Sequence, residues 1–369
     1  MRVLMLSKAC IVGIYQRKLE AIARLGVELL ALVPPSWKDE RGETRLERAY
    51  TDGYRLEVTP IRLNGNFHLH FYPRLGAALR AFQPDIVHID EEPYNLATWQ
   101  ALYQARRAGA RTLFFSWQNI VRRYPPPFSL GERWVLNQVD YALMGTASAA
   151  QVWRAKGYTG PLRVIPQFGV DPDLFQPQPR PPDAPFTIGY FGRFVPEKGL
   201  DTLLTAAAHL DGIPWRLQLI GGGPQRAALQ VQAETLGIAD RVQFDDLLPS
   251  AKMPAAYAGL DAFVLPSRTR PNWKEQFGRV LVEAMASGVP VIGSDSGAIP
   301  DVIGEAGLIF PEGDAAALAA HLRRLYDDAA LRARLIEQGR ARVLAEFTHQ
   351  RVAEATVEVY RALIPVDKP

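Results

Sequence analysis

The stretch "VIPQFGVDPDLFQPQPRPPDAP", residues 164–185, decides how this chain divides. Proline lacks a backbone donor and fixes φ, so such a density forbids a continuous helix or a central strand and reads as a linker. On its N-terminal side, apolar runs at 2–7, 27–33, 54–61, 85–90, 111–116 and 141–145 predict strands. Helical periodicity at 17–25, 95–108, 130–139 and 147–156 falls between them. The alternation restarts after the linker. Strands are expected at 186–194 and 215–221, in "RVQFDD" and in "DAFVLPS", and helices at 200–210, 224–237 and about 315–345, before a last amphipathic "HQRVAEATVEVYRALI". Strand–helix alternation calls for parallel sheets covered on both faces. The expectation is therefore two doubly wound, Rossmann-like domains, 1–168 and 169–348, with a cleft between two sets of strand C-terminal ends.

Composition agrees with this division. A chain of 369 residues is too long for one ordinary core and fits two. Hydrophobic content of 48% with 22% charged residues is ordinary for a globular protein, and no run of 18 apolar residues occurs. Ser7 and Lys8 interrupt the apolar opening, which reads as a buried first strand rather than a signal peptide. The single Cys10 excludes an intramolecular disulfide and suits a reducing cytoplasm. Net charge is only +3, yet residues 1–168 carry 22 Lys and Arg against 14 Asp and Glu. A basic N-terminal half suits an anionic acceptor or an anionic membrane surface, and an Arg-rich solvated face serves equally on charge alone. A nucleic-acid partner is not expected.

The chemistry concentrates in "KEQFGRVLVEAMASGVPVI", residues 274–292. Glu275 and Glu283 lie among apolar residues, where a carboxylate is costly unless something binds it. Phe277-Gly278 is expected to open a helix, leaving Glu275 in the preceding loop and Glu283 inside. First-turn N–H groups, Arg279 among them, face the same space and favour an anion. Two acceptors around free donors suit a polyhydroxylated ligand, a sugar or a ribose; a dipole-favouring Glu plus a surface Glu is the plain alternative. In "GYFGRFVPEKGLDTLL", Arg193 closes a strand and Lys198 lies in the following loop, a pair of cations suited to a diphosphate or to a salt-bridged turn with Glu197.

Gly221, Gly222 and Gly223 sit between a strand and a helix, without the spacing or lysine of a P-loop. "PDIVHIDEEPYN" ends a buried strand with His88, Asp90, Glu91 and Glu92, where a histidine facing the cleft could bond a substrate hydroxyl. No second His or Cys at ligand spacing supports a metal there. "SWQNIVRRYPPPF" (116–128) joins Arg122 and Arg123 to aromatic residues, suiting a membrane interface, a pyrophosphate-bearing acceptor or simply a proline-locked loop.

Taken together, "EQFGRVLVEAMASGVPVIGSDSGAIPDVI", "YFGRFVPEKGLDTLL", "LQLIGGGP", "VIPQFGVDPDLF" and "LDAFVLPS" closely resemble, in order, the segments of retaining glycosyltransferase family 4, of GT-B fold. "MRVLML", a loop at Gly13 and "PDIVHID" match more loosely. The resemblance implies that Glu275 contacts the donor sugar and Glu283 the ribose. It implies that Arg193 and Lys198 neutralise the diphosphate, helped by backbone at Phe277 and Gly278, while His88 aligns the sugar. Gly13 and Gly222 would lie against the donor, and base contacts would fall in "FDDLLPS" (244–250), around Leu247. The helix 349–369 would cross back onto the N-terminal acceptor domain, leaving 169–348 as the donor domain.

The family needs no metal or cofactor beyond the nucleotide sugar as donor. The acceptor would be a glycan or lipid-linked intermediate, handled in the cytoplasm or at the inner membrane face. One departure is that only Gly13 stands where the family's first loop often has paired glycines; Lys8, Tyr15 and Arg17 would share that work. Asp90 and Glu91 leave a two-step route open. Other readings are a non-catalytic nucleotide-sugar-binding subunit, or a sugar phosphorylase or epimerase of similar architecture.

Overall fold

The computed structural model describes residues 1–39, 42–179, 184–249 and 252–364. The chain forms two compact units, Met1–Gly169 with His349–Pro369, and Val170–Thr348.

The N-terminal unit contains β1 (Arg2–Leu6), α1 (Arg17–Arg24), β2 (Glu28–Val33), β3 (Ser36–Asp39), β4 (Gly42–Arg45), β5 (Arg55–Val58), α2 (Leu75–Phe82), β6 (Ile86–Ile89), α3 (Leu96–Arg107), β7 (Arg111–Ser116), α4 (Phe128–Gln138), β8 (Tyr141–Met144), α5 (Ala147–Ala155) and β9 (Leu162–Val164). Seven strands, all parallel, run in the order β5-β2-β1-β6-β7-β8-β9; β3 and β4 form a separate antiparallel hairpin. The near-continuous apolar runs of β1 and β2 suit strands buried on both faces. Alternation then sorts them: Leu4, Leu6, Val87 and Ile89 enter one core, while Val3, Met5 and Ile86 enter the other.

In the C-terminal unit follow β10 (Phe186–Arg193), α6 (Leu200–Ala208), β11 (Trp215–Gly222), α7 (Arg226–Thr235), β12 (Val242–Asp245), α8 (Met253–Ala258), β13 (Ala262–Leu265), α9 (Arg279–Ala286), β14 (Val291–Ser294), α10 (Ile299–Ile303), β15 (Gly307–Phe310), α11 (Ala315–Asp327) and α12 (Ala329–Arg342). Its parallel sheet has the order β12-β11-β10-β13-β14-β15. The helix expected over 315–345 is broken at Asp328, whose side chain accepts from the Leu331 amide at 2.8 Å and caps α12.

The last helix, α13 (His349–Leu363), belongs to the N-terminal unit and packs on α1. Val352, Thr356 and Tyr360 recur at helical spacing on its buried face. Burying each apolar side chain of that face is worth about 1.5–3 kcal/mol.

Both sheets reverse strand order beside their first strand, at β1/β6 and at β10/β13. In open α/β sheets that switch point, at the strand C-terminal ends, is where loops diverge and leave a crevice. Of the expected linker, 180–183 lies outside the described residues; its first residue, Val164, ends β9, and Val170 and Phe175 are buried in the C-terminal core.

Candidate functional site

At the β10/β13 switch point three loops converge. Lys198 ends a 3-10 turn, Pro196–Lys198, and Gly199 follows at φ 65°. A Cβ on Gly199 would lie 2.0 Å from the Pro266 carbonyl oxygen, so only glycine lets the β10 loop press against the β13 loop. That contact delivers Lys198 to Glu275. The ammonium donates to Glu275 Oε2 at 2.6 Å, and Ser267 Oγ donates to the same oxygen at 2.8 Å. Glu275 is only 7% exposed. The Trp273 ring lies 4.9 Å from the Lys198 nitrogen, held by a tight turn in which the Arg270 and Trp273 backbones bond reciprocally.

Glu275 is clamped through its backbone as well. Its carbonyl accepts from the Ala298 amide at 3.1 Å, and a Cβ on Gly297, at φ 57°, would sit 2.2 Å from that oxygen. Gly297→Ala is therefore expected to push Glu275 out of place, lowering turnover at least as much as stability. Parallel kinetics and thermal melts check this, and unchanged turnover contradicts it.

Gly278 occupies the left-handed region (φ 73°) directly before α9, as its position in the sequence suggested. One turn on, Glu283 Oε2 accepts from Tyr257 at 2.9 Å, and its Oε1 lies 2.8 Å from Arg279 Nε. Glu283 keeps 8% exposure. Burial, then the Glu283 carboxylate, pushes the Tyr257 phenol well above its ordinary value, so it stays a donor. Phe277 packs against Phe347, with ring centroids 5.8 Å apart.

The remaining C-terminal residues lie along the same sheet edge. Arg193 ends β10 with an exposed guanidinium 3.8 Å from Glu197. Added Cβ atoms would strike backbone at Gly221 and Gly223 but meet nothing within 4 Å at Gly222. Two of the three glycines thus serve strand packing, and Gly222 alone leaves open room. Leu247 is 77% exposed beyond β12, on a loop braced by Arg226, which donates to Asp246 at 2.6 Å and to the Phe244 carbonyl at 2.9 Å. Ser250, the end of that segment, lies outside the described residues.

The N-terminal unit builds a different cluster at the β1/β6 switch point. Asp90 accepts from Ser7 Oγ at 2.5 Å and Gln167 Nε2 at 2.8 Å; Lys18, itself buried, donates to the Gln167 carbonyl at 2.9 Å. Burial raises Asp90, partly countered by Lys18 and these hydrogen bonds. Glu91 pairs with Lys8 and accepts from Tyr72 at 3.2 Å, with His70 at 3.4 Å. Glu92 is pushed up to about 7 by burial, despite donors at Ser116 (2.6 Å) and the Trp117 amide (2.9 Å).

Burial also pushes the Glu91 carboxyl up, but Lys8 and His70 outweigh it and hold it at about 2. The folded value lies below the ordinary 4.5, so this stabilisation is complete above about pH 5 and is lost as pH falls through that interval. Urea unfolding measured against pH should show a flatter acid limb between about pH 4.5 and 2 in Glu91→Gln. An identical limb contradicts the assignment.

Two expectations do not survive this geometry. His88 is fully buried, its Nδ1 2.6 Å from the Tyr360 hydroxyl of α13, and burial, then Lys18, holds it well below its ordinary value. It is a neutral core residue under a helix, not a group presented to a sugar at the strand's end. Gly13 does not offer its amide to a phosphate: the N–H donates to Glu47 Oε2 at 3.0 Å, and an anion there would have to displace another. Among the described residues no cluster of His, Cys, Asp or Glu is arranged to hold a metal.

Sequence reasoning missed Ser267, Trp273 and Tyr257. Ser267 was signalled by its place after strand "DAFVLP"; Trp273 and Tyr257 carried no local signal.

Comparison with known proteins identifies the family. A profile described as Glycosyl transferases group 1 matches residues 172–342, and one described as Glycosyl transferase 4-like domain matches 14–167. The GDP-mannose-dependent alpha-mannosyltransferase of Mycobacterium tuberculosis is 31% identical over 350 residues, 85% of both chains. The chain belongs to the family 4 glycosyltransferases. Another member, the GDP-mannose-dependent alpha-(1-6)-phosphatidylinositol monomannoside mannosyltransferase of Mycolicibacterium smegmatis, is 30% identical over 81% of both chains. Anabaena HepE, crystallised with UDP, superposes over 98% of this glycosyltransferase and 100% of its own chain, with TM-score 0.73 at 17% identity. Such a likeness shows the fold, which is GT-B.

Proposed function

We propose that this glycosyltransferase moves a hexosyl group from a nucleoside-diphosphate sugar to a hydroxyl acceptor with retention of configuration, and without a metal. The observation that carries the reading is the Lys198–Glu275 pair at the switch point, with Glu283 one turn behind Gly278. A carboxylate and an ammonium in contact form a two-sided grip: Glu275 accepts from sugar hydroxyls while Lys198 turns to the adjoining phosphate. Glu283, already oriented by Tyr257 and Arg279, takes the ribose hydroxyls. Arg193 adds the second cation against the leaving diphosphate.

Charge develops on that leaving group as the glycosidic bond breaks, so fixed cations there act mainly on the transition state. Asp90 and Glu91 are each engaged by donors of their own domain, which supports same-face attack by the acceptor over a covalent intermediate. GDP-mannose, named for the relatives, and UDP-glucose, held by HepE in a second crystal structure, are the first candidate donors. The acceptor is a glycan or lipid-linked intermediate of cell-surface polysaccharide synthesis, met in the cytoplasm or peripherally at the inner membrane face. A groove of about 500 Å³ lined by Lys8, Tyr15, Trp37 and Asp39 offers aromatic and polar walls for its terminal sugar.

Incubating each candidate donor without acceptor and following the sugar by proton NMR tests this. Slow release with the donor's own anomer appearing first is expected. An inverted first product, or no release from any nucleotide sugar, contradicts it.

A further inference from the structure

The N-terminal unit holds a second concavity that none of the transfer residues lines. α4, the end of α5 and the loop before α4 enclose about 460 Å³, with Arg122, Arg123, Tyr124, Glu132, Arg133 and Lys156 in its wall. Its base is built rather than merely solvated. Lys156 donates to Glu132 at 2.5 Å, their side chains only 7% and 11% exposed, and the ammonium lies 5.4 Å from the Tyr124 ring and 4.6 Å from Trp153. Tyr124 is fixed in turn by Tyr94 at 4.5 Å and His68 at 5.4 Å.

That one carboxylate is engaged by Lys156, so Arg123 and Arg133 add surplus positive charge to the cavity wall. Among the described residues Arg123 and Arg133 have no carboxylate partner. Like charges converging on a concave wall repel one another, and an anion reverses the sign of that interaction. Burial lowers Lys156, which Glu132 only partly restores, and a bound anion would favour its charged form as well.

We propose that this pocket binds a phosphate or diphosphate group. Guanidinium forks match phosphate oxygens two at a time, and the volume suits a small polar head group. The proposal rests on the glycosyl-transfer reading only in taking this group to be part of the acceptor.

The test is a calorimetric titration of inorganic pyrophosphate into the full chain, first saturated with GDP or UDP to fill the donor site. It is repeated with Arg123→Gln/Arg133→Gln, two exposed side chains whose loss should leave melting and the nucleotide response unchanged. Pyrophosphate affinity is expected to fall about tenfold to a hundredfold, the loss of one or two charge-assisted contacts. Equal affinity in the variant, or no pyrophosphate binding by the native chain, overturns the proposal. Failure of both nucleotides to bind counts against the donor reading and leaves the comparison of the two proteins intact. A parallel flotation with phosphatidylglycerol vesicles separates the sources: a lipid phosphate predicts that vesicle binding is lost with pyrophosphate binding, and a soluble acceptor phosphate predicts loss of pyrophosphate binding alone.

Discussion

Glu275→Gln should leave a folded protein whose kcat is lower by about a hundredfold to a thousandfold, with donor KM little changed. Glutamine keeps the length and one acceptor of the side chain but brings an amide donor towards Lys198 and Ser267, which both already donate to Glu275 Oε2. The ammonium loses its anionic partner and the sugar loses a charged acceptor. A hydrogen bond to a charged group is worth about 1.5–3 kcal/mol, against about 1 kcal/mol for a neutral one. The loss grows to about 2.7–4 kcal/mol in the transition state, where the sugar becomes cationic and a nearby carboxylate stabilises it, so it appears in kcat. Steady-state kinetics and circular dichroism check it. Turnover within threefold of the native enzyme would remove Glu275 from the mechanism.

Lys198→Ala should act on both constants, lowering kcat by about a hundredfold or more and raising donor KM. In the proposed role the ammonium meets the diphosphate in the ground state and its growing charge in the transition state. Truncation also takes the cationic partner from a largely buried carboxylate that Ser267 Oγ still donates to, a cost of about 1–3 kcal/mol that would show as a lowered Tm. Lys198→Arg is expected to rescue stability better than turnover. A planar fork does not reproduce a point charge placed between the Trp273 ring and Glu275 Oε2. Full activity in Lys198→Arg would mean that only net charge matters at this position.

The C-terminal candidate site of this molecule was legible because its residues are local in sequence. Gly278, the helix start and the two glutamates occupy nine consecutive positions, and their conformations follow from residue type. The pairing of Lys198 with Glu275 spans 77 residues and depends on which loops meet at a switch point, which strand order decides. His88 shows the opposite failure. Period-two alternation correctly separates it from Val87 and Ile89, yet cannot say which face a distant helix covers. That helix, α13, arrives 272 residues later and places Tyr360 on the imidazole.

Gly13 misled for a similar reason, since Glu47 closes on its amide from the segment after the β3–β4 hairpin. The hairpin itself, along with α2, α10, β9 and β15, consists of elements of three to eight residues, too short for periodicity to separate them from loops.

The most direct test of the central claim is the ligand-induced thermal shift of the purified protein with GDP-mannose, UDP-glucose and their ADP- and dTDP-linked counterparts, repeated on Glu283→Ala. A donor present at about 100 times its Kd stabilises the fold by about 2.7 kcal/mol, which a melting curve resolves readily. The claim predicts a clear rise in Tm with one nucleotide sugar, and a much smaller rise once the ribose acceptor is gone. The same Tm rise in Glu283→Ala, or no rise with any nucleotide sugar, would contradict it.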